Sequence, residues 1–79
     1  MEKYTATKVS KNNDVVLISN TTIDKALVEI SRDALKVDEN LHDIIDWTEM
    51  IIDVNESIDI QGEWVMKFNN DILYRIDVD

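Results

Sequence analysis

The sequence predicts an α+β fold: one antiparallel sheet of about four strands, with two helices packed on one face, in the order ββααββ. Three observations carry that reading. Both ends of the chain contain β-branched or alternating apolar stretches, the signature of strands. The middle repeats apolar residues every three or four positions, as helices with one buried face do. Asn- and Asp-rich turn sequences, Lys11-Asn-Asn-Asp14 and Asn69-Asn-Asp71, sit between the stretches that must pair.

Taken in order, Tyr4 to Val9 is rich in β-branched residues, and Val15 to Ser19 is apolar enough for a sheet interior. Together they predict a hairpin. Asn20-Thr-Thr22 supplies helix-start chemistry, with Thr21 as N-cap and Asp24 near the positive end of the dipole. Ile23, Ala26, Leu27, Ile30, Ala34 and Leu35 then recur at helical spacing, predicting a first helix over about 22–36. Its outer face, Lys25, Glu29, Arg32, Asp33 and Lys36, mixes signs as solvated helices do. This hairpin-turn-helix opening resembles the start of a β-grasp domain, a likeness of element order over under half the chain.

A second helix is expected from Asp38, Glu39 or Asn40 to about Val54, with Asn55 as its stop. Leu41, Ile44, Ile45, Trp47, Ile51, Ile52 and Val54 form its apolar arc. Ser57 to Ile60 reads as a short edge strand or connection, and Gly62, the only glycine, as a turn. Trp64, Met66 and Phe68 alternate, as do Ile72, Tyr74, Ile76 and Val78 against Leu73, Arg75 and Asp77. That predicts a terminal hairpin with one apolar face. Trp47, Trp64, Phe68 and Tyr74 are assigned to the core.

Residues 1–79 read as a single small acidic domain. With 44% hydrophobic and 32% charged residues the chain belongs with compact globular sequences. It has no cysteine, so neither disulfides nor thiolate metal sites can supplement the core. No apolar run suits a signal peptide or membrane span, and a cytoplasmic location is expected. The net charge of −9 is unevenly placed: residues 1–36 sum to +1 and residues 37–79 to −10. Such a field repels nucleic acid and anionic lipid and attracts basic protein surfaces.

The most distinctive stretch lies between Lys36 and Lys67, which holds nine carboxylates and no Lys or Arg. Glu39, Asp43, Asp46, Glu49, Asp53 and Glu56 step by three or four, within an arc of roughly 140° at helical geometry. Several of these acids are like-charge neighbours, and the later ones stand where the helix dipole disfavours them. The first helix, with its mixed face, is the internal control.

No catalytic constellation accompanies these acids. His42 is the sole histidine, so a dyad or zinc site has no second ligand. Serial exposed carboxylates lack the differing environments that acid–base work needs. Asp53 to Asp59 places oxygens like a calcium loop, but its sixth position is Ile58 and its twelfth Trp64. Neither metal nor cofactor is expected, and the chain is read as not an enzyme. Glu56-Ser-Ile-Asp59 resembles the serine motif of acyl carrier proteins over four residues, though in that family the serine begins a helix. Glu56-Ser57-Ile58 is similar to the Glu-Ser-Ile segment of phage uracil-DNA glycosylase inhibitors, small acidic proteins that imitate DNA; the likeness spans three residues and illustrates a mechanism.

These observations predict a partner-binding acidic face over about residues 39–59, formed by Glu39, Asp43, Asp46, Glu49, Asp53, Glu56 and Asp59. The sharp expectation is an inhibitor that mimics nucleic acid in the basic channel of a host defence or DNA-processing enzyme, of the phage anti-restriction, anti-CRISPR or repair-inhibitor type. The alternatives are an antitoxin- or immunity-like protein, or a small phage assembly protein with a merely solvated acidic face. The expected partner is a basic protein surface, not nucleic acid or membrane, and the chain a monomer or homodimer.

Overall fold

The computed structural model describes residues 2–11, 13–37 and 47–79. It contains β1 (Tyr4–Ser10), β2 (Asp14–Thr21), α1 (Ile23–Val37), α2 (Trp47–Gln61), β3 (Glu63–Lys67) and β4 (Ile72–Val78). The sheet is antiparallel throughout, in the order β2-β1-β4-β3, so the first and last strands of the chain pair at its centre.

Strand register decides which side chains meet the helices. Ala6 pairs with Ile76 and Ile76 with Trp64; Lys8 pairs with Tyr74 and Tyr74 with Met66. Period-two alternation puts all six on one face. There Ala6, Trp64, Tyr74 and Ile76 join Ala26, Leu27, Ile30 and Ala34 of α1 and Val54 and Ile58 of α2 in one buried core. The α+β order and the placement of both helices on one face agree with the sequence prediction.

The core is sealed on the α1 side by a polar cluster. Asp33 accepts a hydrogen bond from the Tyr74 hydroxyl at 2.7 Å and pairs with Lys8 at 3.0 Å. The helical pattern places Asp33 on a solvated face, but it lies three positions from Ile30 and beside Ala34, on the flank of the buried arc. A buried tyrosine hydroxyl needs a partner, and Asp33 is within its reach. Burial pushes the Asp33 carboxyl up, but the bonds from Tyr74 and Lys8 outweigh it and hold the group below its ordinary range. Burial first, and then the Asp33 carboxylate, push the Tyr74 phenol well above its ordinary range.

Element ends differ from expectation in three places, each with a local cause. The N-cap of α1 is Thr22, whose Oγ1 accepts from the Lys25 amide at 3.3 Å; Thr21 instead closes β2 and is buried. Asn55 does not stop α2: its Nδ2 donates to the Ile51 carbonyl at 2.8 Å within the helix. The buried pair Val54 and Ile58 carries the apolar stripe onward, so Ser57 to Ile60 is helix and not strand. The helix ends at Gly62, whose φ of 78° is the left-handed conformation glycine adopts without strain, and whose amide still donates to the Ile58 carbonyl.

At the other end of the sheet the Asp79 carboxylate accepts from the Thr5 hydroxyl and from the Asn20 amide. Asn20 has a φ of 54° and lies in the irregular part of the β1–β2 ladder, so this carboxylate pins a strained residue of β2 to β1. Among the described residues no helix is long and apolar enough to cross a membrane.

Because the folded pKa of Asp33 is depressed, its contribution is complete above the unfolded value of about 3.9 and is lost as pH falls through the lower folded value. Asp33→Asn is expected to cost about 1.5–3 kcal/mol at pH 7, and visibly less near pH 2, in urea melts at the two pH values.

Candidate functional site

The outward face of α2 is the strongest candidate site, and it follows from how the helix docks. Val54 and Ile58 are buried against the sheet, with Met50 and Ile51 packed beside them. Ser57 donates from its hydroxyl to the Glu63 carbonyl at 2.8 Å, tying the helix to the start of β3. At 100° per residue, the arc opposite Val54 holds Glu49, Ile52, Asp53, Glu56, Asp59 and Ile60 within roughly 120°. All six are exposed.

Four of the seven residues expected in the acidic face are therefore brought together: Glu49, Asp53, Glu56 and Asp59. They span about 15 Å along the axis at 1.5 Å per residue. Glu39, Asp43 and Asp46 lie outside the described residues, as do His42 and the side chain of Trp47. The ion pairs Lys8–Asp33, Arg32–Glu29 and Arg75–Asp77 of the described fold all lie outside α2. Among the described residues, Asp53, Glu56 and Asp59 have no Lys or Arg neutralising them.

The pattern misplaces one residue of this face and overlooks another. Ile52 was expected on the apolar arc, yet it is 60% exposed. Ile60, assigned to a short edge strand or connection, is 81% exposed, the most open large apolar side chain among the described residues. Both corrections follow from the helix's true phase and end, set by Val54, Ile58 and Gly62. The two isoleucines are eight residues apart, about 12 Å along the ridge, with Glu56 midway between them. The face is thus a row of carboxylates punctuated by two apolar side chains.

What this arrangement can do chemically is bind. The residues that suggested a calcium loop, Asp53, Asn55, Ser57 and Asp59, are alternate positions of a helix, which points neighbours in that series to different sides. Ser57 is likewise inside the helix and bonded to the backbone, unlike a serine that begins one. The Asp33 carboxyl, held below its ordinary range, sits in the seam between α1 and the sheet, away from this face.

The acids near the end of α2 face the negative pole of its dipole, and no base stands in its last turn. Asp59→Lys is expected to raise stability by about 0.3–1 kcal/mol in thermal melts at low salt, an increment that shrinks as salt screens the dipole.

No family model matches the chain, and comparison with characterised proteins and with solved structures gives no match either.

Proposed function

We infer that the chain is a non-enzymatic acidic inhibitor, whose α2 ridge occupies a basic nucleic-acid channel of a host defence or DNA-processing enzyme. The observation that carries this reading is the outward arc of α2, where Asp53, Glu56 and Asp59 are exposed without a neutralising base among the described residues. Successive carboxylates from Glu49 to Asp59 rise by about 4.5–6 Å. Phosphates of a duplex strand rise by about 3.4 Å, so the two charge rows have comparable density. A rigid helix presents its charges with little ordering cost, which favours a competitor over a flexible acidic tail. Steering by the field of residues 37–79 makes association fast and salt-sensitive.

A second reading, an antitoxin- or immunity-like protein that neutralises a basic toxin, draws on Ile52 and Ile60. Exposed apolar side chains amid charge suit contacts buried in a protein interface more than a channel built for phosphates. The two readings share the electrostatics and differ in how much the isoleucines contribute.

The test is capture on immobilised chain from a bacterial lysate at low salt, elution by a salt gradient, and competition with duplex DNA. Recovery of a nucleic-acid enzyme displaced by DNA is the expected result. Asp53→Lys/Glu56→Lys/Asp59→Lys should weaken binding of that enzyme at least about tenfold at unchanged circular dichroism. Equal binding by this variant and the parent would overturn the proposal. Ile52→Ala/Ile60→Ala should have little effect on a channel mimic and a large one on a toxin-type interface.

A further inference from the structure

The sheet ends in two edge strands, β2 and β3, and they differ. At β2 the register with β1 shifts twice, between Tyr4 and Ala6 and between Ala6 and Thr7, and Asn20 is left-handed. Irregularities of that kind bend an edge away from further pairing. β3 instead pairs with β4 from Glu63–Asp77 to Lys67–Leu73 without a shift, and its other side meets no described strand. No proline interrupts it.

Hydrogen-bond parity decides which backbone groups of β3 are free. The Phe68 amide donates to the Ile72 carbonyl at 3.0 Å, so Phe68, Met66 and Trp64 are the residues bonded to β4. Glu63, Val65 and Lys67 alternate with them and turn their N–H and C=O groups away from β4. The Glu63 carbonyl agrees with that direction, because it accepts from the Ser57 hydroxyl of α2. Beyond it, the backbone groups of Val65 and Lys67 form a short ladder with no partner strand among the described residues.

The same bond from Ser57 sets α2 beside this edge. At 100° per residue, Asp53 lies roughly 40° and Ile60 roughly 60° around the helix from Ser57, and Asp59 roughly 160° away on the far flank. Asp53 and Glu63 are both exposed, and neither pairs with a Lys or Arg among the described residues. The β2 edge lies in residues 1–36, whose net charge of +1 offers a base no such attraction.

We propose that β3 takes up, as an added antiparallel strand, an extended basic segment of the protein that α2 meets. The inference rests on the reading that α2 binds a basic protein surface, and says how such a surface is held. Backbone bonds to Val65 and Lys67 supply the pairing, and the side chains of the added strand alternate between the two faces. On the helix side they run along the flank of α2 that carries Asp53, which suits lysine or arginine. On the open side one lies against Val65, 47% exposed, which suits an apolar residue.

The probe is a short peptide of alternating lysine and valine, titrated to millimolar concentration against the isotope-labelled chain. At about 0.15 M salt, screening leaves only nearby charges effective. The Val65 and Lys67 amide resonances should move downfield, as amides do on hydrogen bonding, while those of β2 stay. Because the residue opposite Val65 exchanges both bonds with it, N-methylation of the peptide's valines should weaken binding at least about tenfold, and N-methylation of its lysines should not. Asp53→Lys should weaken binding about tenfold, and Asp59→Lys, on the far flank, by less than about twofold. Shifts confined to α2, or equal binding by the two methylated peptides, overturn the edge proposal and leave the α2 reading standing. Pairing indifferent to Asp53→Lys, or as tight with a glutamate–valine peptide, overturns both, since neither then draws a base.

Discussion

The pairing of β1 with β4 is the interaction on which the rest of the structure depends. It joins residues 4–10 to residues 72–78 through seven consecutive Cα partners, from Tyr4–Val78 to Ser10–Ile72. Without it the chain holds two separate hairpins, and isolated two-stranded hairpins are marginal in water. With it, four strands present one continuous apolar face on which α1 and α2 can bury their stripes. Closing so long a loop costs conformational entropy before any contact rewards it. The side-chain bonds that cross this seam are placed accordingly. Lys8 of β1 and Tyr74 of β4 are direct partners in the ladder, and Asp33 of α1 binds both. Asp79 does the same at the other end, reaching from beyond β4 to Thr5 and Asn20.

Much of this was legible in the sequence because local patterning and global fold agree. The strand alternation of Ile72, Tyr74, Ile76 and Val78 and the helical spacing of Ala26, Leu27, Ile30 and Ala34 each name one buried face, and all are found on it. The turn at Asn69 was equally readable: its Oδ1 accepts from the Asp71 and Ile72 amides, the local bonding that makes Asn a turn residue. The end of α2 was not. Asn55 is a fair stop by propensity, yet buried Val54 and Ile58 outweigh a few tenths of a kcal/mol, and glycine at 62 offers a better cap. Nor did periodicity reveal that Asp33 belongs to the seam, because that depends on a tyrosine 41 residues away.

The same error of phase hid the nature of the candidate site. An arc drawn from composition separates acids from isoleucines cleanly, since any helix with both is assumed to sort them. The fold sorts by what the sheet can cover, and α2 docks through Val54 and Ile58 near its C-terminal half. Ile52 and Ile60 fall on the far side of that contact and remain among the carboxylates. Glu49, Asp53, Glu56 and Asp59 nonetheless share one exposed arc, because charge at helical spacing does not depend on where the helix ends.

The isoleucines change what the ridge can discriminate. Carboxylates alone attract any basic surface, with an energy that salt erodes and that hardly distinguishes one partner from another. An exposed isoleucine gains only where a partner offers an apolar recess at the matching place, at roughly 25 cal/mol per Å² buried. Two of them, set about 12 Å apart along a charged rod, would restrict its register on a surface with recesses at that spacing. On α1, where the outer face mixes lysine, arginine and acid, no comparable alignment exists. A channel mimic would bind through the acids of α2, and an interface of the toxin type through the acids together with both isoleucines.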